Sequence, residues 1–135
     1  PLNSHVLPAT LRKFHEAKIN NKPYVEIWRT GNPTRELMYI EDFADCCIFL
    51  MNNYNSSEIL NVGTGEDITI KELSFLVKDI VGYNGEVVFD LTKPDGMERK
   101  LLDVSKLHAL GWKHQMSLEN GIKKTYKWFV DNNIR

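Results

Sequence analysis

The residues best suited to chemistry in this chain are cations that stand next to turns. Lys93-Pro94-Asp95-Gly96-Met97-Glu98-Arg99-Lys100 gathers three cations and a Pro-Asp-Gly turn into one short loop. A stiff turn that presents Lys and Arg can grip a diphosphate without a phosphate-binding helix. Composition alone favours the plainer reading, a solvated charged loop. Arg35 follows the turn Thr30-Gly31-Asn32-Pro33-Thr34 and precedes an apolar stretch, so its guanidinium is held near the base of a loop; Trp28 ends a strand beside it. An aromatic ring and an Arg so placed can stack on and pair with a nucleotide. For Trp28 ordinary packing is the alternative.

Other motifs carry less. Gly63-Thr64-Gly65 invites a dinucleotide-binding reading, but Ile68 stands where the third glycine belongs. No acidic residue closes a second strand about 20 residues on, so the expectation is a tight strand-to-helix turn. His5, His15, His108 and His114 have no ligand spacing with Cys or carboxylates, and no metal site is expected. No Ser-His-Asp signature is present either. His15 and His114 are expected at the surface.

These residues must be positioned by short elements. Residues 4–19 read as a helix with Ser4 as N-cap, Pro8 in the first turn, and Leu7, Leu11 and Phe14 on one face. Residues 25–28 read as a strand and residues 37–40 as a second extended piece. A helix opens at Glu41-Asp42, whose carboxylates favour the positive end of the dipole, with Phe43, Cys46, Cys47, Leu50 and Met51 as its buried face. A loop over 52–57 leads to a strand at 59–62. Thr69-x-x-Glu72 is a capping box for a helix carrying Ile70, Leu73, Val77 and Ile80, and Gly82 stops it. A strand over 86–89, a short helix over 104–110 and a last helix from Leu118 to about Asn132 complete the chain, the last with Leu118, Ile122, Tyr126 and Phe129 on one face. Short strands alternating with helices indicate α/β, yet the strands are too few and short for a complete doubly wound sheet.

The bulk properties narrow the class. At 135 residues the chain is one domain or part of one, and its formal net charge of −1 offers no field for nucleic acid or an anionic membrane. An anionic ligand must therefore be caught by a few placed cations. No apolar run approaches the roughly 20 residues needed to span a bilayer. The start is not a targeting peptide and lacks an initiator Met, so the natural chain is expected to begin upstream. Adjacent Cys46 and Cys47 suit a disulfide poorly and read as buried thiols of a cytoplasmic protein. Asn55-Ser56-Ser57 is a glycosylation acceptor in form only.

Several segments taken in order resemble a known family. They are Ser4-His5-Val6-Leu7-Pro8-Ala9, Trp28 with Gly31-x-Pro33-x-Arg35-Glu36, Leu60-Asn61-Val62-Gly63-Thr64-Gly65, Lys93-Pro94-Asp95-Gly96, Arg99-Lys100-Leu101-Leu102-Asp103 and Leu110-Gly111-Trp112. Together they are similar to the C-terminal region of the GDP-L-fucose synthase family. These are NADP-dependent 3,5-epimerase/4-reductases of the extended short-chain dehydrogenase/reductase superfamily. The Arg-Glu, Asn-Val-Gly and Leu-Gly-Trp elements are shared across the superfamily, whereas Ser-His-Val-Leu-Pro and Lys-Pro-Asp-Gly are narrower. The resemblance covers essentially the whole chain. It implies one substrate-binding domain over 1–135, a fragment of a larger enzyme whose NAD(P)-binding Rossmann-type core is missing here.

The resemblance also implies roles. His5 matches the acid/base of epimerisation, close to the nicotinamide of NADP, a task suited to imidazole near neutral pH. Lys13 falls at a basic substrate-binding position, with Lys for the Arg of some members. Trp28 and Arg35 match contacts to the GDP-sugar, and Lys93, Asp95 and Arg99 match a loop that closes on it. Arg35 and Lys93 would pair with diphosphate oxygens. The complete enzymes are homodimers. Some positions depart from the pattern: Arg29 stands where the family usually has Gly, Leu37 replaces a common Phe, and Thr10 a common Leu. The family's glycine-rich motif, Ser and Tyr-x-x-x-Lys set and epimerisation cysteine belong upstream of His5; no tyrosine here has Lys four residues on. The isolated polypeptide is therefore expected to be inactive. The alternatives are another nucleotide-sugar epimerase or dehydratase of the superfamily, and a stand-alone binding module or half of a split enzyme.

Overall fold

A computed structural model describes residues 5–132 of the chain. Helix α1 spans Val6–Ile19 and buries Thr10, Leu11, Phe14 and Ala17, one side of a 3.6-residue repeat. His5 is its N-cap, in extended backbone and without a side-chain capping bond; Ser4 lies outside the described residues. Strand β1, Tyr24–Trp28, alternates strictly: Val25 and Ile27 are buried, while Tyr24, Glu26 and Trp28 face outward.

The other elements follow in chain order as β2 (Thr34–Arg35), α2 (Ile40–Asn53), β3 (Ile68–Thr69), α3 (Ile70–Val81), β4 (Glu86–Asp90), β5 (Arg99–Lys100), α4 (Ser105–Ala109) and α5 (Leu118–Asp131). β1 and β4 run parallel in register from Tyr24 opposite Glu86 to Trp28 opposite Asp90. Their inner face lies on α1 and α3, and α5 adds Ile122; the core is Leu11, Phe14, Val25, Ile27, Leu73, Val77, Val81, Tyr83 and Ile122. Phe14 and Tyr83 meet edge to face at 5.8 Å.

Helix α3 is bounded by local chemistry. The Thr69 hydroxyl accepts from Glu72 N at 3.0 Å, the Glu72 carboxylate accepts from Thr69 N at 3.2 Å, and Gly82 ends the helix in left-handed backbone at φ 75. Ser117 caps α5 in the same manner, accepting from Asn120 N at 3.2 Å.

A second sheet has the order β3-β2-β5, antiparallel between β2 and β3 and parallel between β2 and β5. The extended piece expected over 37–40 is displaced to Thr34–Arg35. Thr34 N finds Glu98 O at 2.8 Å there, whereas Ile40 already opens α2. The strand expected over 59–62 does not form a ladder. Leu60 and Val62 still point inward, beneath a second cluster of Cys46, Val104, Leu107 and Trp112, but the segment has no ladder partner among the described strands.

The expected buried face of α2 is only partly right. Cys46 is fully buried, and burial, with Cys47 and Asp45 beside it, pushes its thiol pKa up. Cys47 is exposed, as are Phe43 at 45% and Met51 at 83%. Ile40, Phe43, Cys47, Ile48 and Met51 form an apolar stripe at helical spacing, and all five are exposed. The histidine expectations are corrected too. His15 is packed between α1 and α5, its Nδ1 2.9 Å from the Tyr126 hydroxyl and its ring edge-on to Phe129. His114 is 11% exposed, with Nε2 3.9 Å from a Glu66 carboxylate oxygen. It is largely covered because the segment before α5 is tied down: Asp42 accepts from Gln115 N and Met116 N at 3.3 and 2.9 Å.

Candidate functional site

α1, the C-terminal end of β1 and the loop after β4 converge on one cleft of about 280 Å³. Lys13, two turns into α1, projects across the end of β1 and donates to Glu26 O at 3.1 Å. Trp28 ends the outward side of β1 and is half exposed. The ammonium groups of Lys13 and Lys93 each lie 5.4 Å from its ring centroid, so the indole sits among cations.

After Trp28 the chain turns sharply. Arg29 N donates to Asp90 O at 2.8 Å, and Arg29 itself adopts φ 76. For a residue with a Cβ this conformation costs about 1–2 kcal/mol, so Arg29 stands at a strained position. Gly31 follows at φ 75, and a Cβ there would stand 2.8 Å from the Phe89 ring and 2.9 Å from the Lys71 side chain. The turn can close only with glycine at 31. Arg35 is held at the base, its Nη1 donating to Thr34 O at 2.6 Å and to Met97 O at 2.9 Å.

The loop from Lys93 to Lys100 is thereby fastened at both ends. Asp95 accepts from Thr30 N at 3.2 Å and from the Thr30 hydroxyl at 2.9 Å. Thr34 N and Arg35 hold Glu98 O and Met97 O from below. At the head of the loop Asp90 accepts from Thr92 N at 3.0 Å. The Thr92 hydroxyl and amide, with Lys93 nearby, hold the Asp90 carboxyl below the usual carboxylate range.

The structure thus brings Lys13, Trp28, Arg35 and Asp95 to one cleft and sets Lys93 over the Trp28 ring. Arg99 is turned away to pair with Asp67 at 3.0 Å. His5 is exposed at the start of α1 and does not line the cleft, whose wall on this helix begins at Val6. Sequence reasoning missed Thr30, the partner of Asp95. Its signal was the hydroxyl inside a Gly/Pro turn, where it also accepts from Asn32 N at 3.1 Å. It missed Glu36 as well, whose carboxylate accepts from Gly65 N at 3.2 Å and lies where a Gly63 side chain would have to go.

That contact decides what Gly63-Thr64-Gly65 can hold. A phosphate cradle needs open backbone N–H groups. Here a carboxylate already occupies the turn, so it does not fit a dinucleotide diphosphate. Among the described residues no group of three or more His, Cys, Asp or Glu is placed to hold a metal ion, and no helix is long and apolar enough to cross a membrane.

Residues 1–63 match the model of the NAD dependent epimerase/dehydratase family. GDP-L-fucose synthase 1 of Arabidopsis thaliana is 50% identical over 132 residues, 98% of this chain and 41% of that protein. GDP-L-fucose synthase of Escherichia coli strain K12 is 49% identical over 144 residues, all of this chain and 45% of that protein. Among solved structures, a GDP-mannoheptose C4 reductase from Campylobacter jejuni with NADP bound superimposes with a TM-score of 0.85 at 43% identity, over 94% of this chain and 45% of that one. The chain spans about two-fifths of the length of the curated relatives it matches. In sequence and in fold, it is similar to the NAD-dependent epimerases/dehydratases and matches the C-terminal portion of GDP-L-fucose synthases.

Proposed function

We propose that this chain is the GDP-sugar-binding region, a single domain over 1–135, of a GDP-L-fucose synthase. The complete enzyme would convert GDP-4-keto-6-deoxy-mannose to GDP-L-fucose by epimerisation at C3 and C5 and reduction at C4. The observation that carries this reading is the cleft itself. Three cations and one carboxylate line it, a net charge of +2 within a chain of net −1. A half-exposed indole forms one wall. Charge of this sign beside a half-exposed aromatic ring suits a nucleoside diphosphate. Arg35, Lys13 and Lys93 would pair with the diphosphate, and Trp28 would pack on the nucleotide-sugar. Asp95 would hold the loop that carries Lys93, and Arg99 would brace that loop through Asp67.

His5 would move protons at the carbons flanking the C4 carbonyl. It takes one from C3 or C5 to leave an enolate, and the carbon is reprotonated from the opposite face by an acid outside this chain. The reduced form of NADP, the cofactor bound in the solved C4 reductase, would supply a hydride when bound. Its diphosphate finds no cradle among the described residues, and we place it outside this chain, with His5 at its edge. The isolated polypeptide would accordingly be inactive. The apolar stripe on α2 would be covered by the N-terminal portion that the relatives carry. We place the complete enzyme, a homodimer, in the cytoplasm, where Cys46 and Cys47 stay reduced.

The test is isotope exchange in the complete polypeptide that the gene encodes. Solvent deuterium should enter C3 and C5 of the product, and His5→Gln should abolish the incorporation while GDP still binds. Incorporation at the parental rate in that variant would refute the role of His5. The 43% identity to a C4 reductase favours a second reading, reduction of another GDP-4-keto-sugar. That reading predicts hydride transfer without deuterium at C3 or C5. Binding of UDP in preference to GDP would overturn both.

A further inference from the structure

Arg29 has no part in the roles assigned above, yet the site is built around it. Its backbone is held in left-handed conformation at φ 76, a strain that glycine would relieve. Its side chain lines the cleft with Lys13 and Arg35. Its Nε is buried without a hydrogen-bond partner, and among the described residues it forms no ion pair. Asp95, the carboxylate of the lining, is taken up by Thr30. The loop above it leaves room: a Cβ at Gly96 would stand 2.8 Å from an Arg29 Nη. A strained backbone persists where the surroundings hold it, and such residues gather at ligand sites. A buried guanidinium nitrogen without an acceptor is unfavourable until an anion supplies one.

We propose that Arg29 is a diphosphate-binding residue, which grips the ligand's phosphate oxygens together with Arg35 and Lys13. The proposal rests on the nucleotide-sugar reading of the cleft. With Arg29 the lining carries +2, three cations against one carboxylate, which matches the two negative charges of a diphosphate diester; without it the lining carries +1. Strain is retained because the bound phosphate uses the guanidinium that glycine lacks.

The experiment uses the complete polypeptide with GDP, inorganic pyrophosphate and guanosine as probes, read by calorimetry beside thermal melting. Arg29→Gly should melt higher than the parent, because the strain is gone. It should bind GDP and pyrophosphate about tenfold or more weakly at low salt, with the gap narrowing as salt rises and guanosine unaffected. Arg29→Lys should keep the parental melting temperature and part of the affinity. Gly96→Ala, which crowds the guanidinium while leaving Arg29 in place, should weaken GDP in the same direction. A residue with only a structural role would move stability and affinity together. Parental GDP affinity in Arg29→Gly overturns the proposal. A parent that binds pyrophosphate but prefers UDP to GDP sinks the GDP-sugar reading and leaves Arg29 standing. A parent that binds neither GDP nor pyrophosphate overturns both.

Discussion

If the cleft takes the proposed GDP-sugar, Asp95 can serve it in two ways, by touching the sugar or by fastening the loop, and its geometry favours the second. Both carboxylate oxygens are engaged by Thr30, at 3.2 Å from the amide and 2.9 Å from the hydroxyl. Hydrogen bonds to a charged group are worth about 1.5–3 kcal/mol when shielded. These two are exposed, so solvent reduces each to roughly 0.5–1 kcal/mol. Asp95→Ala should therefore release about 1–2 kcal/mol of loop order. The base of the loop remains fastened by Arg35 on Met97 O and by Thr34 N on Glu98 O, so the loss is local to Lys93 and its cation–π contact with Trp28. Since about 1.4 kcal/mol is a factor of ten, GDP affinity should fall roughly 5- to 30-fold, and the melting temperature should hold because the core is untouched. Titration of Trp28 fluorescence with GDP would measure this. Thr30→Ala should reproduce most of the loss, and the double variant should be little worse than either single one. A full effect of Asp95→Ala beside a silent Thr30→Ala would refute the fastening and return Asp95 to direct contact with the sugar.

Further outcomes follow from the same geometry. In this chain alone, Cys47 should be alkylated rapidly and Cys46 only on unfolding, since one thiol is exposed and the other buried with a raised pKa. In the complete polypeptide Cys47 should be protected, and equal reactivity in both forms would refute the covering of α2. Thr69→Ala should destabilise by about 1 kcal/mol in a denaturant titration, the usual loss when an N-cap is removed, here with both bonds of the capping box present. The Asp90 carboxyl titrates below its ordinary value of 3.8. Its stabilisation of the loop head is therefore complete above that value and disappears as pH falls through the lower folded value. The Trp28 environment should accordingly change in acid below about pH 3.8 in the parent and not in Asp90→Asn.

The readable parts of the fold were those whose cause is local. The capping box and the Gly82 stop fix α3 within its own residues, and the alternation of Val25 and Ile27 fixes the inner face of β1. The two-residue strands β2, β3 and β5 have no such signature, because each exists only by pairing with a segment far along the chain. The fastening of Asp95 by Thr30 and the covering of His114 were hidden for the same reason. Trp28 and Arg35 could be read as a site because a turn and a strand end place them. The misreadings of α2 have another origin. The periodic stripe of Phe43, Cys47 and Met51 states that this face is to be buried, yet of the face expected to be buried only Cys46 and, in part, Leu50 find cover within the described residues, in the cluster of Trp112. A sequence specifies burial against whatever the complete protein supplies, so an apolar face that the fold leaves bare marks a missing contact. Arg29 is the converse case, where the local rule asks for glycine at φ 76 and the sequence refuses it. Both conflicts between local pattern and fold lie where the proposed reading places a partner: a protein surface on α2, and an anion in the cleft.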